Sequence, residues 1–322
     1  MDLLRGAVVI LVVVYHAAHL QLLSSGDRGG WTVVYALMPF RMPTLLVLSG
    51  LLLENSLAKG TGRFVMGKVR GILWPWVIWM AITSIVLRGL NEDPIGYIAI
   101  GTHLWFLAVL ACAYALALVL RSVPNTWSAA ALFVLAGLLQ ASHGIIPLYL
   151  WFAGFFFAGA ALSPVIVQWQ RAQPIWPIVL SVIGLVGAVR QVGQRTVVTY
   201  WPDQIVVSLA GVLSLLWVAH RIPRLAPIRA LEWVGRNSIV TYVSHFPLLA
   251  PGGVVAMMGL AGISPAATSA GVLSVCIGLT YLRPWTEWLY TMPRWRRLRC
   301  RRSLSGQSKR DLPVSSVGHR QA

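Results

Sequence analysis

Residues 3–23 read LLRGAVVILVVVYHAAHLQLL, a run of 21 residues that contains one arginine and no carboxylate. A transmembrane helix needs about 20 mostly apolar residues, so this stretch predicts a helix that spans a membrane. The run is longer than the apolar region of a cleaved signal peptide, and it opens with Met1 and Asp2 rather than with basic residues. We therefore expect it to be retained as the first helix of a membrane protein.

Nine further apolar runs follow the first, separated by charged residues, prolines or glycines. The ten runs cover residues 3–23, 35–53, 72–87, 104–120, 127–139, 146–162, 175–189, 204–219, 239–258 and 267–282. The connections between them are too short to hold a separate soluble domain. The sequence therefore predicts an all-α fold, a polytopic bundle of about ten transmembrane helices over residues 1–290, with any activity built between the helices.

The composition agrees with a membrane location, since 57% of the residues are hydrophobic, 11% are charged and the mean hydropathy is +0.72. In a soluble chain the formal charge of +17 would suggest nucleic-acid binding. Here 21 of the 26 Lys and Arg residues fall on one set of alternate connections and the termini, and four fall on the other set. Because positive residues stay on the cytoplasmic side, both termini are predicted to be cytoplasmic, and no nucleic-acid partner is implied.

Residues 291–322 differ in composition from the rest of the chain. Six arginines lie between positions 294 and 302, and serine, glycine and lysine follow them. Such a segment is typical of a disordered tail that is attracted to anionic lipid. We expect it to anchor the topology on the cytoplasmic side and to take no part in catalysis.

Arg5 and His16 are the first candidates for chemistry, because ionisable side chains inside spans are costly. They are eleven residues apart, which places them within roughly 20° of one face of a helix and about 16 Å apart along it. Arginine suits a phosphate-bearing ligand that enters from the cytosol, and histidine suits proton transfer near neutral pH. Alternatively, Arg5 only extends to the interface and His16 bonds to a neighbouring helix.

Arg41 lies between two prolines in Pro39-Phe40-Arg41-Met42-Pro43 of the second run. Its distance from the outer end of the run matches that of His16 within one turn, so the two side chains are predicted to share one cavity. The prolines free backbone carbonyls that protein or water must satisfy, which favours an internal site. The alternative is that Arg41 is a structural donor to those carbonyls.

A polar stripe begins the ninth run, where Ser238, Tyr242 and His245 follow a helical spacing. We expect this stripe to face the interior of the bundle. Hydrogen bonding between helices is its ordinary function, and a contribution to a site is the alternative.

Metal and nucleotide sites receive little support. The three cysteines have neither disulfide nor metal-ligand spacing, and His16 and His19 lack a third ligand nearby in sequence. The Gly-x-x-x-x-Gly-Lys pattern of residues 62–68 continues with Val69 instead of Ser or Thr, and no strand precedes it. We therefore predict no bound metal and no phosphate-binding loop.

Several stretches carry a resemblance that covers nearly all of residues 2–282. They are Asp2-Leu3-Leu4-Arg5-Gly6 leading into Val14-Tyr15-His16, Phe40-Arg41-Met42-Pro43 with Leu48-Ser49-Gly50, Lys68 and Arg70 before Trp74-Pro75, His103-Leu104-Trp105-Phe106-Leu107, and Asn237-Ser238-Ile239-Val240-Thr241-Tyr242-Val243-Ser244-His245. In this order they resemble the acyltransferase 3 family of bacterial integral-membrane acyltransferases, which modify sugars of cell-surface glycans and similar acceptors. In that family the Arg and His that match Arg5 and His16 are associated with activity.

The resemblance implies a multi-pass enzyme of the bacterial plasma membrane that transfers acyl groups other than aminoacyl groups. Its co-substrate would be acyl-CoA, with acetyl-CoA expected, and no cofactor would be bound permanently. Arg5, Lys68 and Arg70 would bind the acyl-CoA at the cytoplasmic side. His16 would act as general base on an acceptor hydroxyl, directly or through an acyl-enzyme, and Arg41 would stabilise the oxyanion.

Two other classes of function stay open. A transporter or flippase for a lipid-linked or small anionic substrate would line its path with the same buried Arg and His residues. A structural membrane subunit has no positive feature beyond the helices.

The charge distribution generates a topology prediction. Reporter fusions placed after Arg28, Arg63, Arg88 and Arg302 are expected to report outside, inside, outside and inside, because the basic connections remain in the cytoplasm. A C-terminal tail on the outer side would contradict both the topology and the expected route of the acyl donor.

Overall fold

The computed structural model describes residues 1–25, 31–86, 103–142, 144–194, 200–250 and 264–293. Within these ranges the chain is helical and contains no strand. The α-helices are α1 (Asp2–Ser25), α2 (Trp31–Gly50), α3 (Leu53–Leu57), α4 (Thr61–Lys68), α5 (Trp74–Val86), α6 (Trp105–Val119), α7 (Asn125–Leu138), α8 (Ile145–Leu162), α9 (Ile166–Gln170), α10 (Ile175–Gln194), α11 (Pro202–Arg221), α12 (Ala226–Arg236), α13 (Ser238–Leu249) and α14 (Pro265–Thr286). Short 3₁₀ turns and one π-helix complete the described elements.

Each of the ten predicted apolar runs falls on a helix, although part of the ninth run and nearly all of the predicted tail lie outside the described residues. Among the described residues, six helical segments are long and apolar enough to cross a membrane. They are Asp2–Leu20, Thr61–Val86, Ile145–Gln170, Ile175–Gly193, Pro202–Arg221 and Pro265–Leu289. Helices α6, α7 and α13 are apolar but shorter. The all-α membrane fold is therefore confirmed, while the count of ten spans and the orientation stay predictions.

Glycines bring α2 and α8 into backbone contact at the centre of the bundle. A Cβ atom on Gly50 would overlap the carbonyl oxygen of Phe156, and one on Gly159 would overlap that of Val47. Small residues allow such close approach between membrane helices, where van der Waals packing drives association. The crossing places the aromatic side chains of Phe155 and Phe156 in the core, where both are fully buried.

A second glycine crossing joins the start of α1 to α12. A Cβ atom on Gly6 would overlap the carbonyl oxygen of Leu231, and one on Gly235 would overlap that of Asp2. Helix α12 lies in what the sequence indicated only as a basic connection, because it has no long apolar run. The crossing brings the first turn of α1, with Arg5, next to the last turn of α12, with Arg236.

The chain from α4 to α5 is one continuous helix interrupted by a π-helix at Val69–Leu73. The sequence indicated that Lys68 and Arg70 precede the third membrane helix as part of a connection. The structure instead extends this helix back to Thr61, because the basic residues continue the helical backbone. A π-helix accommodates an extra residue and changes the phase of the side chains on either side of it.

The crossing of α1 and α12 predicts a specific sensitivity. Gly235→Val should lower the free energy of unfolding by about 1–3 kcal/mol, because the added carbons overlap the α1 backbone. Thermal unfolding of the purified protein in detergent measures the effect. Gly193→Val is the matched control, since a Cβ atom there meets nothing within 4 Å. Equal melting temperatures for the two variants would contradict this packing.

Candidate active site

Three histidines from distant parts of the chain meet inside the bundle. His16 lies on α1, His103 lies just before α6, and His245 lies on α13. The ring centroids of His16 and His245 are 5.1 Å apart, and those of His103 and His245 are also 5.1 Å apart. Phe246 packs against the cluster, stacked on His103 at 5.0 Å and edge-on to His16 at 5.4 Å. His103 and His245 are buried, while His16 keeps some exposure.

A proline in α13 creates the acceptor that fixes His103. Pro247 has no backbone N–H, and in an α-helix this N–H would bond to the carbonyl four residues earlier, which is that of Val243. The His103 Nε2 atom lies 3.0 Å from the Val243 carbonyl oxygen and donates to it. The Tyr242 hydroxyl in turn donates to the His103 backbone carbonyl. His103 is thus joined to α13 by two hydrogen bonds.

The orientation of the His245 ring follows from its own helix. Its Nδ1 atom lies 2.8 Å from the carbonyl oxygen of Tyr242 and 3.1 Å from that of Thr241. Carbonyls only accept, so Nδ1 carries the proton, and Nε2 of the neutral ring is an acceptor. Neither His245 Nε2 nor His103 Nδ1 has a hydrogen-bond partner among the described residues. The cluster therefore offers two ring nitrogens that can accept a proton or a hydrogen bond.

Arg41 lies next to the cluster through the ring of Tyr15. Its guanidinium carbon is 4.0 Å from the Tyr15 ring centroid, and that ring is 5.1 Å from the His16 ring. The buried Nε atom of Arg41 has no hydrogen-bond partner within the described part of the chain. The structure thus places Arg41 and His16 on the same tyrosine ring, while a cavity shared by the two side chains stays a prediction.

A cavity of about 220 Å³ lies beside Arg5. Its lining extends from Arg5 and Arg236 to the buried ring of Tyr242, and it includes Ser238 and Ser49. Arg5 keeps a 3.6 Å ion pair with Asp2 at the edge of the helix. The cavity therefore joins a basic mouth to the tyrosine that contacts the histidine cluster.

The stripe of Ser238, Tyr242 and His245 faces the interior. The first two side chains line the cavity, and His245 belongs to the histidine cluster. The Tyr242 and His245 rings are 6.0 Å apart. The stripe therefore connects the cavity to the cluster along one face of α13, in addition to the hydrogen bonds it makes between elements.

Lys68 and Arg70 separate onto two sides of the π-helix. The Lys68 Nζ atom lies 3.6 Å from the ring centroid of Tyr114. The Tyr114 hydroxyl donates to the carbonyl of Ser49, which lines the cavity beside Arg5. Arg70 instead donates from Nη2 to the Met292 carbonyl at 2.7 Å. It lines a neighbouring groove rather than the cavity beside Arg5. Lys68 is therefore linked to the cavity beside Arg5 through Tyr114 and Ser49, whereas Arg70 is not.

His103 belongs to the cluster, although the sequence pattern did not indicate it as a site residue. It lies one position before the fourth apolar run, so it did not count as an ionisable group inside a span. Only Pro247 could have indicated it. A proline within the ninth run leaves the carbonyl four residues earlier without its helical donor, and another side chain has to supply one. Among the described residues, no group of three or more His, Cys, Asp or Glu side chains could hold a metal ion, and the absence of a bound metal stays a prediction.

The fold and this cluster define an all-helical membrane protein with a buried centre of histidines and arginine. A model of the acyltransferase 3 family, described as an acyltransferase domain, matches residues 1–289. The chain belongs to the acyltransferase 3 family. No curated protein and no solved structure matches it.

The bond between His103 and Val243 predicts an unusual proline effect. Pro247→Ala would supply an N–H to the Val243 carbonyl, which then competes with the His103 ring. We expect acyl transfer to fall roughly ten-fold or more, since small displacements of reacting groups are costly. The melting temperature should not fall, because the helix gains a hydrogen bond.

Pro284→Ala in α14 is the matched control, because this proline also lies inside a helix but lines the groove beside Arg70 rather than the cavity that leads to the cluster. It should leave acyl transfer unchanged. Activity and thermal unfolding of both variants test the effect. Full activity of Pro247→Ala would show that the position of His103 does not matter.

Proposed function

We propose that this chain is a multi-pass enzyme of the bacterial plasma membrane that moves an acetyl group from cytosolic acetyl-CoA to a hydroxyl of a cell-surface glycan or similar acceptor. The observation that carries the proposal is the contact of His16, which keeps some exposure, with His245, whose Nδ1 is fixed by backbone carbonyls. Membership of an acyltransferase family supports the reaction class.

The acyl donor enters at the basic mouth of the cavity. Coenzyme A carries several phosphate charges, and Arg5, Arg236 and Lys68 supply clustered cations on the face predicted to be cytoplasmic. Arg5 and His16 are about 16 Å apart along α1, a distance that an extended pantetheine arm spans. The cavity lining leads from Arg5 toward Tyr242, and so toward the cluster.

His16 is the general base, and His245 is a positioning residue. The backbone bonds to His245 Nδ1 prevent its ring from turning. This fixed ring packs against the ring of His16 at a centroid distance of 5.1 Å and so limits the orientations that His16 can adopt. A base whose ring is held in one orientation needs little reorganisation when the proton moves.

The reaction follows from these positions. The acceptor hydroxyl gives its proton to His16 as its oxygen attacks the thioester carbonyl carbon. The resulting oxyanion is stabilised by the guanidinium of Arg41. The carbon–sulfur bond then breaks, and the leaving thiolate of coenzyme A takes the proton from His16. The products are the ester and free coenzyme A, and His16 returns to its neutral form.

Transfer of label from acetyl-CoA tests the proposal. The purified protein in liposomes should consume the thioester and acetylate an added glycan acceptor. His16→Ala should reduce the rate about 100-fold or more, since the general base is lost. Arg5→Lys should retain part of the rate, because the charge remains while the planar fork is lost.

His220→Ala is the control for removing a histidine, because His220 is exposed at the end of α11 and far in sequence from the cluster residues. It should leave the rate unchanged. Full transfer by His16→Ala would make His16 a structural residue. Movement of an anionic lipid-linked substrate across the membrane without thioester cleavage would instead establish the transporter alternative.

A further inference from the structure

A second cavity, of about 950 Å³, lies between α4 and the end of α14. We call it the lateral groove and define it by Arg63, Gly67, Arg70, Trp285, Glu287 and Trp288, which all line it. It is separate from the cavity beside Arg5, although Gly71 lines both. The proposed reaction makes no use of the lateral groove.

One wall of the lateral groove is the segment around the end of α14. Side chains of the continuous helix Thr61–Val86 hold this segment in place. Three of them donate to backbone carbonyls of the segment around and after the end of α14. The bonds join Trp74 to Trp288 at 2.7 Å, Trp79 to Leu289 at 3.0 Å and Arg70 to Met292 at 2.7 Å. These three hydrogen bonds therefore hold the segment that follows α14 against the helix that includes α5.

Two opposite charges line the groove without neutralising each other. Arg63 and Glu287 are both exposed, and neither forms an ion pair with any other residue that the structure describes. A ligand that carries a negative and a positive group on one short chain would pair with both at once. Arg70 adds a second guanidinium, which keeps free donors beyond the one that bonds to Met292.

The aromatic rim indicates the depth of the groove in the membrane. Trp285 is 76% exposed and Trp288 is 51% exposed, and both border the groove. Tryptophan is enriched where the hydrocarbon core meets the lipid head groups. A groove at this level meets phosphates and ammonium groups of lipids on one side and acyl chains on the other.

The near wall leaves room for an occupant. Gly62, Gly67 and Gly71 line the groove, and a Cβ atom on any of them would meet nothing within 4 Å. Glycine within a helix costs roughly 0.5–1 kcal/mol relative to alanine, and here no packing within the described residues requires it. The glycines that do serve packing, such as Gly6 and Gly50, meet backbone atoms directly.

We propose that the lateral groove binds a phospholipid with a phosphoethanolamine head group. Arg63 and Arg70 bind the phosphate, Glu287 binds the primary ammonium, and an acyl chain lies along the glycine wall. Charge complementarity selects this occupant over phosphatidylglycerol, which carries the phosphate but no cation to meet Glu287.

Native mass spectrometry of the protein released from nanodiscs tests the site. The nanodiscs contain equal amounts of phosphatidylethanolamine and phosphatidylglycerol with the same acyl chains. The wild-type protein should retain one phosphatidylethanolamine in preference to phosphatidylglycerol. Glu287→Gln should lower this preference about five-fold, the effect of losing one charge-assisted hydrogen bond. Arg63→Ala should lower retention of both lipids.

Gly67→Leu fills the groove and should abolish retention of either lipid. Gly278→Leu is the matched control, because Gly278 is also a helical glycine in open space but does not line the groove. It should retain lipid like the wild-type protein. The proposal is wrong if Gly67→Leu and Gly278→Leu retain equal lipid, if phosphatidylglycerol is preferred, or if coenzyme A displaces the lipid.

Discussion

A missing hydrogen bond organises the centre of this protein. Pro247 cannot satisfy the carbonyl of Val243, and an unsatisfied carbonyl inside a membrane bundle costs several kcal/mol. The ring of His103 supplies the donor, and this fixes the entry of α6 against α13. Helix α13 also carries His245. The carbonyl of Val243, which has no donor within its own helix, therefore helps to position two of the three clustered histidines. His16 then completes the cluster from α1.

Much of this architecture follows from local sequence pattern. The ten apolar runs are found on helices because an apolar segment in a bilayer has to satisfy its backbone hydrogen bonds within itself. The common face of Arg5 and His16 follows from helix geometry. Helix α12 was missed because a short amphipathic helix has no long apolar run. Its position depends on backbone contact between Gly6 and Gly235, which are far apart in sequence.

The candidate site was less predictable than the helices, since its decisive bonds are non-local. His103 was not predicted because its partner Val243 lies 140 residues away. Arg70 was grouped with Arg5 and Lys68 by proximity in sequence. Its side chain instead bonds to Met292, 222 residues away, so the structure separates charges that are neighbours along the chain. Spacing within one helix was informative, whereas hydrogen bonds between residues far apart in sequence could not be predicted from it.

The π-helix at Val69–Leu73 makes chain length itself a determinant of this surface. Deleting a single residue there would restore regular α-helix and rotate α4 by about 100° relative to α5. Lys68 would leave the ring of Tyr114, and the glycine wall would turn away from Trp288. A related sequence that lacks one residue in this segment would therefore have a different arrangement of Lys68 and of the glycine wall, even if every other side chain were the same.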